Sequence, residues 1–301
     1  MTNKVFKKIY RLFVALFCSV KPIHAKASND VVFSYIDISA WQGKVDFEKV
    51  KKAGVQGIII RIGYGDVLSY PSQVDEYFER NYSECKRLGI PVGGYFYSYA
   101  TTPEQAKREA QGCLKLITEK QFELPILYDV EELRIFNTGR TNVIIKAFCS
   151  ELEAKDWWTG IYIYKAAADA YLTQQTRDRY TMAVAQYADK CTYTSQYGIW
   201  QNSSTWRVSG ISGNVDHDYC YVDYPAEIKA KGKNGFPKPQ PKPELIYKTT
   251  KDTPIVSIKG VEPKGKTVKI GGRKTVCGVQ YGRIDGTKDD WISLKDCKQV
   301  K

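Results

Sequence analysis

Apolar runs of strand length alternate with longer helical stretches over residues 31–186, and this alternation limits the folds open to the chain. Strands that alternate with helices form parallel sheets in which each helix crosses over to the next strand. Six strands and five helices are predicted here, in the order Val31–Ile38, Asp46–Ala53, Val55–Ile62, Val74–Leu88, Val92–Tyr99, Pro103–Thr118, Leu124–Val130, Thr141–Lys155, Gly160–Tyr164, Lys165–Leu172 and Tyr180–Gln186. The chain order therefore predicts an α/β fold with a parallel sheet.

After residue 186 the pattern changes to short strands without convincing helices between them. The runs predicted there are Gly198–Gln201 and Val215–Tyr219. A barrel built on this sheet would therefore close irregularly.

A second, smaller unit is predicted beyond residue 228. Residues 229–245 hold four prolines among lysines, which is typical of a semi-rigid extended linker. Short β-like runs with turn residues follow it at Ile255–Ile258, Thr267–Ile270, Thr275–Val279 and Trp291–Leu294. The predicted order is a barrel over residues 31–228, the linker, and a small antiparallel β module over residues 246–301.

The net charge of +12 is concentrated in the tail. Residues 28–228 carry 21 basic and 26 acidic residues, whereas residues 229–301 carry 18 basic and 7 acidic ones. A basic module beside a mildly acidic body favours contact with a polyanion, which can be nucleic acid, a membrane surface or an anionic cell wall. A lysine-rich surface that serves only solubility fits the charge equally well.

The first 27 residues predict export. Four basic residues precede the apolar run Leu12–Val20, and Ala25 and Ala27 supply the small residues of a cleavage site, as in a signal peptide. This run of nine residues is too short to cross a hydrocarbon core of about 30 Å as a helix, so no stable transmembrane anchor is expected. We therefore expect a secreted protein that acts outside the cell.

Cysteine and histidine usage narrows the chemistry. Seven cysteines remain after cleavage, with spacings that resemble neither a small disulfide scaffold nor paired C-x-x-C zinc knuckles. Cys277 and Cys297 are the preferred disulfide, and two small buried thiols are the alternative. His217 is the one histidine beyond the predicted signal peptide, so histidine-dependent nucleophiles and zinc sites are weak candidates. We expect neither a metal nor a cofactor.

Acidic side chains at the ends of apolar strands are the candidate catalytic groups. Asp129 and Glu131 stand at positions i and i+2, which point to the same side of a strand. Asp37 lies near the end of the first strand and Asp216 in a later one. The carboxyl ends of barrel strands form the active-site face, and crowding raises the proton affinity of a carboxylate as a general acid requires. Three acidic strands therefore predict one acidic pocket.

Six segments resemble the glycoside hydrolase family 25 lysozymes, which include Chalaropsis-type muramidases and many phage endolysins. They follow the family's order across roughly residues 31–225 and are Tyr35-Ile-Asp-Ile-Ser-Ala-Trp-Gln-Gly, Gly93-Gly-Tyr-Phe-Tyr, Pro125-Ile-Leu-Tyr-Asp-Val-Glu, Gly160-Ile-Tyr, Ile199-Trp-Gln and Asn214-Val-Asp. The resemblance implies an irregular TIM-like β/α barrel with five helices and eight strands. It also implies hydrolysis of the β-1,4 bond between N-acetylmuramic acid and N-acetylglucosamine in peptidoglycan.

The resemblance also implies roles for single residues. Glu131 resembles the general acid, Asp129 the carboxylate that stabilises developing positive charge or orients the N-acetyl group, and Asp37 and Asp216 supporting carboxylates. Sugar rings stack on aromatic planes, so the candidate sugar-binding residues are Tyr95, Tyr97, Tyr162, Trp200 and Gln201, with core packing as the alternative for each. Phe96 departs from many relatives, which have a histidine there.

The tail resembles bacterial SH3-like modules at Gly271-Gly-Arg and Trp291-Ile-Ser-Leu. We expect peptidoglycan glycan strands and the anionic wall as partners, and no nucleic acid; a purely structural appendage is the alternative for the tail. Three other functions remain open: a catalytically silent wall- or glycan-binding barrel, another barrel glycosidase such as a chitinase, and a basic nucleic-acid binder. Intact carboxylates argue against the first, and chitinases usually carry a longer acidic run, D-x-x-D-x-D-x-E.

Overall fold

The computed structural model describes residues 30–239, 245–249, 253–254, 261–262, 267–276, 279–284, 291–294 and 297–299. The chain is divided into two compact units, with the boundary between Pro239 and Gln240. The predicted signal peptide lies outside the described residues. The predicted disulfide does so too, because Cys277 and the side chain of Cys297 are not described. No helix in the described part of the chain is long and apolar enough to cross a membrane.

Eight strands form a closed barrel in the first unit. They are β1 (Phe33–Ile38), β2 (Ile58–Tyr64), β3 (Val92–Tyr97), β4 (Ile126–Asp129), β5 (Thr159–Tyr164), β6 (Thr181–Ala185), β7 (Ile199–Trp206) and β8 (Val215–Cys220). β1 to β7 are parallel to their neighbours in chain order, whereas β8 is antiparallel to both β7 and β1. The predicted TIM-like barrel is confirmed, and the antiparallel last strand is its irregular closure.

The helices of this unit are α1 (Phe47–Lys52), α2 (Phe78–Leu88), α3 (Pro103–Ile117), α4 (Leu133–Phe136), α5 (Thr141–Glu153), α6 (Lys165–Tyr171), α7 (Gln174–Arg179) and α8 (Tyr224–Ala230). Five of them match the five predicted helices. The other three, α4, α7 and α8, have four, six and seven residues and were not predicted from the sequence, although α1 and α6, with six and seven residues, were.

Local sequence explains where α3 begins. The Thr102 hydroxyl accepts a hydrogen bond from the Gln105 backbone N–H, and the Gln105 side chain accepts one from the Thr102 backbone N–H, both at 3.2 Å. This reciprocal capping box satisfies two backbone donors that the first helical turn leaves unpaired. Pro103 fits the first turn because its missing N–H is not needed there. α3 therefore begins at Pro103, with Thr102 as its N-cap.

Alternation along the strands fills the barrel in layers. An apolar layer is formed inside the barrel by Tyr35, Ile59, Leu127 and Ile199, which belong to one buried cluster with Trp158 and Tyr224. Two residues further along the same four strands stand polar side chains, in the order Asp37, Arg61, Asp129 and Gln201. The apolar layer therefore forms the floor on which a polar layer rests at the carboxyl ends of the strands.

The opposite end of the barrel, at the amino ends of the strands, is covered by α8 and residues 231–236. The Tyr224 phenol lies so close to Gly198 that any Cβ at that position would overlap it. Asn234 is fully buried: its side chain accepts a hydrogen bond from the Trp158 N–H at 2.6 Å and donates one to the Leu124 carbonyl at 2.8 Å. The first part of the segment predicted as an extended linker is thus packed against the barrel.

The second unit is described through its strands, β9 (Leu245–Thr249), β10 (Thr253–Pro254), β11 (Val261–Glu262), β12 (Thr267–Val276), β13 (Val279–Ile284), β14 (Trp291–Ser293) and β15 (Cys297–Gln299). Five of them form a sheet in the order β14-β13-β12-β9-β15, and β10 pairs with β11. All described pairs in this unit are antiparallel. The small all-β module is confirmed, and its SH3-like character stays a prediction.

Candidate active site

A cavity of about 200 Å³ opens at the carboxyl ends of the barrel strands. Its lining consists of Asp37, Trp41, Ile59, Arg61, Tyr95, Tyr97, Leu127, Asp129, Glu131, Tyr162, Gln201, Asp216 and Asp218. Five of these residues are acidic, and Arg61 is the one basic residue among the described residues of the lining. The structure brings the four predicted carboxylates together, at the end of the barrel where enzymes of this architecture carry their active sites.

One cluster of carboxylate side chains in the cavity comes from strands β1 and β8. Asp37 is paired in register with Asp216, and Asp218 is paired with Gln201 on β7. Burial raises the pKa of Asp37 well above its usual range, and the charges of Asp218 and Asp216 raise it further. The Gln201 amide opposes this rise because its Nε2 donates to Asp37 Oδ2 at 2.8 Å.

The other two carboxyl groups of this cluster are also perturbed. Burial raises the pKa of Asp216 and that of Asp218, and a hydrogen bond with Asp37 opposes the rise in both. A hydrogen bond between two carboxyl groups requires a proton on one of them. The cluster of three therefore titrates as a unit and retains a proton at pH values where an exposed aspartate is ionised.

The second cluster of carboxylate side chains comes from β4 and the residues that follow it. Asp129 is buried, and burial raises its pKa well above the usual range; the charge of Glu131 raises the pKa further, whereas Arg61 lowers it. Burial also raises the pKa of Glu131, and the neighbouring Tyr97 hydroxyl opposes this rise. A partly exposed carboxyl group with a raised pKa can retain a proton and still reach a substrate, as a general acid must.

Four of the five predicted sugar-binding residues line the cavity: Tyr95, Tyr97, Tyr162 and Gln201. The Tyr162 hydroxyl donates to Gln201 Oε1 at 2.9 Å, and the Tyr187 hydroxyl donates to the same oxygen at 3.0 Å. Because Oε1 accepts from two tyrosines, the amide nitrogen of Gln201 is directed at Asp37. Tyr162 and Tyr187 thus fix the orientation of the Gln201 amide, which contacts the Asp37 carboxylate.

Trp200 does not line the cavity, contrary to the prediction from sequence. Side chains alternate along β7, so Trp200 points out of the barrel where Gln201 points into it. Its Nε1 donates to the Gln186 carbonyl at 2.8 Å, and its ring packs against Tyr219 with the centroids 5.6 Å apart. Trp200 is a packing residue on the outer face of the barrel.

Sequence reasoning missed Arg61 and Asp218. Arg61 Nε forms an ion pair with Asp75 Oδ2 at 2.7 Å, and the fully buried Asp75 carboxylate holds the guanidinium at the cavity wall. Asp218 stands two residues after Asp216, on the same face of β8. Each gave a usable signal: Arg61 is a charge inside an apolar strand, and Asp218 repeats the i, i+2 spacing that identified Asp129 and Glu131.

Trp41 is the third missed residue of the lining. It lies in a short 3₁₀ helix, Ala40–Gln42, that follows β1 and is capped by the Ser39 side chain. Its side chain is 85% exposed although it borders the cavity. A large indole held in solvent at the rim of a polar cavity is suited to stacking against a sugar ring.

His217 and Phe96 both face away from the cavity. The His217 ring stacks on Trp206 and forms hydrogen bonds with Ser34 and Asn202, which occupy both of its nitrogens. Phe96 is fully buried and packs against Phe148. Within the described ranges, no group of three or more histidine, cysteine, aspartate and glutamate side chains is arranged to hold a metal ion.

The family model described as Glycosyl hydrolases family 25 matches residues 36–211, more than half of the chain. The chain belongs to this family. The matched range contains Asp37, Asp129 and Glu131 and ends before Asp216. Family 25 membership agrees with the barrel and with an acidic cavity at the carboxyl ends of its strands.

Several known proteins are similar to this chain in sequence or in fold. The autolytic lysozyme of Clostridium acetobutylicum is 28% identical over 184 residues, which cover 61% of this chain and 54% of that protein. The modular autolysin LytC from Streptococcus pneumoniae is 27% identical with a TM-score of 0.56, over 63% of this chain and 46% of that one. The chain thus spans about half the length of these two relatives. The bacterial lysozyme from Streptomyces coelicolor shares the fold, with a TM-score of 0.58 and 20% identity over 70% of this chain and 99% of that one.

Proposed function

We propose that this family 25 protein is an N-acetylmuramidase, a lysozyme that hydrolyses the β-1,4 bond between N-acetylmuramic acid and N-acetylglucosamine in bacterial peptidoglycan. The observation that carries the proposal is the cavity at the carboxyl ends of the strands, where five carboxyl groups stand among tyrosines. Glycosidases use two carboxyl groups at the scissile bond: one protonates the leaving oxygen, and the other assists the oxocarbenium-like transition state.

Glu131 is the general acid in this proposal. It is the less buried member of its pair with Asp129, and its pKa is raised by burial. Both properties suit a group that must hold a proton and then deliver it to the leaving-group oxygen. Burial raises the pKa of Asp129 and Arg61 opposes this rise. In its ionised form Asp129 stabilises the positive charge that develops on the sugar or orients the N-acetyl group.

The Asp37, Asp216 and Asp218 cluster supports this pair from the other side of the cavity. Burial raises the pKa of Tyr95 and that of Tyr162; the charge of Asp37 raises both further, and the charge of Asp129 also raises that of Tyr162. These tyrosines therefore stay protonated and present hydroxyl groups and ring faces to a sugar. We assign Asp37 and Asp216 the role of supporting carboxylates.

The composition of the cavity favours a glycan over the other substrates considered. Five carboxyl groups against one arginine repel a phosphodiester backbone, which binds through basic side chains. Tyrosines and the exposed Trp41 at the rim suit the apolar faces of sugar rings. Peptidoglycan is supported among glycans because LytC, a relative, has been solved with a synthetic peptidoglycan ligand.

A catalytically silent binding protein explains the site less well. Burying carboxyl groups with raised pKa values lowers the stability of a fold, and binding a neutral sugar does not need them. The relative in Clostridium acetobutylicum is an autolytic lysozyme, which supports catalysis, and the family match of this chain supports a muramidase over a chitinase. Export through residues 1–27 and wall binding through an SH3-like module over residues 246–301 complete the proposal.

The proposal is tested by Glu131→Gln, which keeps the shape of the side chain but cannot donate the proton. We expect the release of fragments from purified peptidoglycan to fall by about 10² to 10⁴, the usual contribution of a general acid. Mass spectrometry of the wild-type digest should show reducing N-acetylmuramic acid ends. Reducing N-acetylglucosamine ends would assign the other glycosidic bond.

Glu132→Gln is the matched control. Glu132 does not line the cavity, and its Oε1 accepts a hydrogen bond from the Tyr97 hydroxyl at 2.9 Å, which a glutamine oxygen also accepts. This variant should keep most of the activity. Near-normal turnover by Glu131→Gln would contradict the assignment of the acid, and an inactive Glu132→Gln would move that role to the neighbouring residue.

A further inference from the structure

Glu109 is a buried glutamate outside the cavity that connects α3 to the ends of β3 and β4. Its side chain is 3% exposed. Oε1 accepts a hydrogen bond from the Tyr99 backbone N–H at 2.8 Å, and Oε2 accepts from the Ser98 hydroxyl at 3.0 Å and from the Tyr128 hydroxyl at 2.6 Å. Three donors from two neighbouring strand ends thus converge on one carboxyl group.

The partners of Glu109 are the chain neighbours of cavity residues. Ser98 follows Tyr97, and Tyr128 precedes Asp129. Side chains alternate along a strand, so the residues that contact Glu109 point towards α3 while Tyr97 and Asp129 point into the cavity. The Ser98 N–H also donates to the Asp129 carbonyl at 2.9 Å, which joins the two strand ends directly.

We infer that Glu109 is a positioning residue for the reaction proposed above, because its hydrogen bonds fix where Asp129 and Tyr97 stand in the cavity. The inference rests on the proposed function. Tyr97 and Asp129 are paired in register, so a shift of the backbone at Ser98 or Tyr128 moves both of them. A misplacement of about 1 Å in a catalytic arrangement can reduce the rate by about 10²-fold.

The chemistry of the network allows a conservative replacement. Burial raises the pKa of Glu109 to about 7, and the hydrogen bonds from Tyr128, Tyr99 and Ser98 oppose this rise. The hydroxyls of Ser98 and Tyr128 can each donate or accept, so the network accommodates either protonation state. A glutamine amide fits the same pattern: its oxygen accepts from the Tyr99 N–H, and its nitrogen donates to one of the two hydroxyls.

The experiment compares Glu109→Gln with Glu109→Met, which has a similar volume but accepts no hydrogen bond from the Tyr99 N–H or from the Ser98 and Tyr128 hydroxyls. kcat and KM are measured on soluble peptidoglycan fragments below the melting temperature of each variant. We expect Glu109→Met to lower kcat by about 10- to 100-fold with little change in KM, because the catalytic group and not the whole cleft is displaced. Glu109→Gln should restore kcat to within about threefold of the wild type.

Asn234→Ala is the control for a general loss of stability. It leaves two buried backbone groups unpaired at the opposite end of the barrel, so it should lower the melting temperature and leave kcat unchanged. An unchanged kcat in Glu109→Met, an equal loss in Asn234→Ala, or no restoration by Glu109→Gln would each overturn the inference while wild-type turnover still stands. An inactive wild-type protein would instead overturn the proposed function and the inference with it.

Tyr128→Phe decides the matter if Glu109→Met does not fold. The variant removes one hydrogen bond to Glu109 and keeps the ring stacked on Phe148, with the centroids 3.9 Å apart. The Tyr128 hydroxyl also forms a hydrogen bond with Ser98, but Glu109 keeps two of its three donors, so we expect kcat to fall by about three- to tenfold. A kcat equal to that of the wild type would overturn the positioning role.

Discussion

At the scale of single residues, the acidic cavity lowers the stability of the barrel at neutral pH. Asp218 is 3% exposed, burial raises its pKa, and the charge of Asp216 raises it further. A carboxyl group with a raised folded-state pKa binds its proton more tightly in the folded chain than in the unfolded one. The free energy of unfolding is therefore highest below the unfolded pKa of about 3.9 and decreases as the pH rises towards the folded-state pKa.

Asp218→Asn should therefore stabilise the protein at pH 8 and not at pH 4. The amide is neutral at both pH values and can donate a hydrogen bond to Asp37, whereas the wild-type carboxyl group is charged in the unfolded chain at pH 8. We expect the melting temperature at pH 8 to rise by at least about 2–4 °C, the change that 1 kcal/mol produces in a domain of this size. Thermal unfolding at the two pH values measures it.

The exposed Asp189 provides the comparison, because Asp189→Asn should not change the melting temperature at either pH. An equal gain by Asp218→Asn at pH 4 and pH 8 would show that the charge of Asp218 is not the cause. Activity should fall in Asp218→Asn, since active sites often retain groups that destabilise the fold.

From the sequence one can predict those site residues whose charge alone requires them to lie at the open end of the barrel. Asp37, Asp129, Glu131 and Asp216 are charges in or after apolar strands, so a barrel can place them only at its open end. Trp200 was misplaced because Ile199-Trp200-Gln201 carries apolar residues on both faces of the strand. The face that points inwards is decided by the pairing of β7 with β6 and β8, which local sequence does not contain.

At the scale of elements, the strands and the helices α2, α3 and α5 could be predicted because each is long enough to show its period. The short helices α1 and α6 were predicted because they fall between two predicted strands. The packing of residues 231–236 over the amino ends of the barrel strands could not be predicted. Asn234 contacts Trp158 and Leu124, which are 76 and 110 residues away in the chain. Around Asn234 the sequence consists mostly of lysines, prolines and glycines, the composition of a linker, so its fixed position depends on long-range contacts.

Asn234→Ala should lower the free energy of unfolding by about 2–4 kcal/mol, because two buried backbone groups lose their partners at about 1–3 kcal/mol each. Asn234 also has a positive φ of 53°, which asparagine tolerates better than alanine does. Urea denaturation followed by tryptophan fluorescence measures the change.

Two further substitutions separate these causes. Asn234→Gly relieves the backbone strain and should cost less than Asn234→Ala, whereas the exposed Asn137→Ala should change the free energy of unfolding by less than about 0.5 kcal/mol. A loss of equal size at Asn137 would show that Asn234 has no special role in covering the barrel.

At the scale of the whole molecule, the charges of the two units differ. Residues 240–301 carry 14 basic and 7 acidic residues, whereas the cavity of the barrel unit is lined by five acidic residues and one basic residue. We therefore expect the second unit to be attracted to an anionic wall and the first unit to hydrolyse the substrate. Electrostatic attraction of this kind weakens with salt, since the Debye length shortens to about 10 Å at 0.1 M.

A chain that ends at Pro239 should stay folded and hydrolyse soluble peptidoglycan fragments at the wild-type rate. It should bind cell walls less than the full chain at low salt, and the difference should shrink as salt is added.

A chain that ends at Ile228, the residue at which the sequence places the end of the barrel, loses Asn234 and Phe236. It should be markedly less stable, because the amino end of the barrel is then uncovered. Wall pelleting at two salt concentrations and thermal unfolding of the three chains measure these differences. Equal pelleting of the full chain and the chain ending at Pro239 would remove wall binding from the second unit. Equal stability of the two truncated chains would show that residues 229–239 are a linker after all.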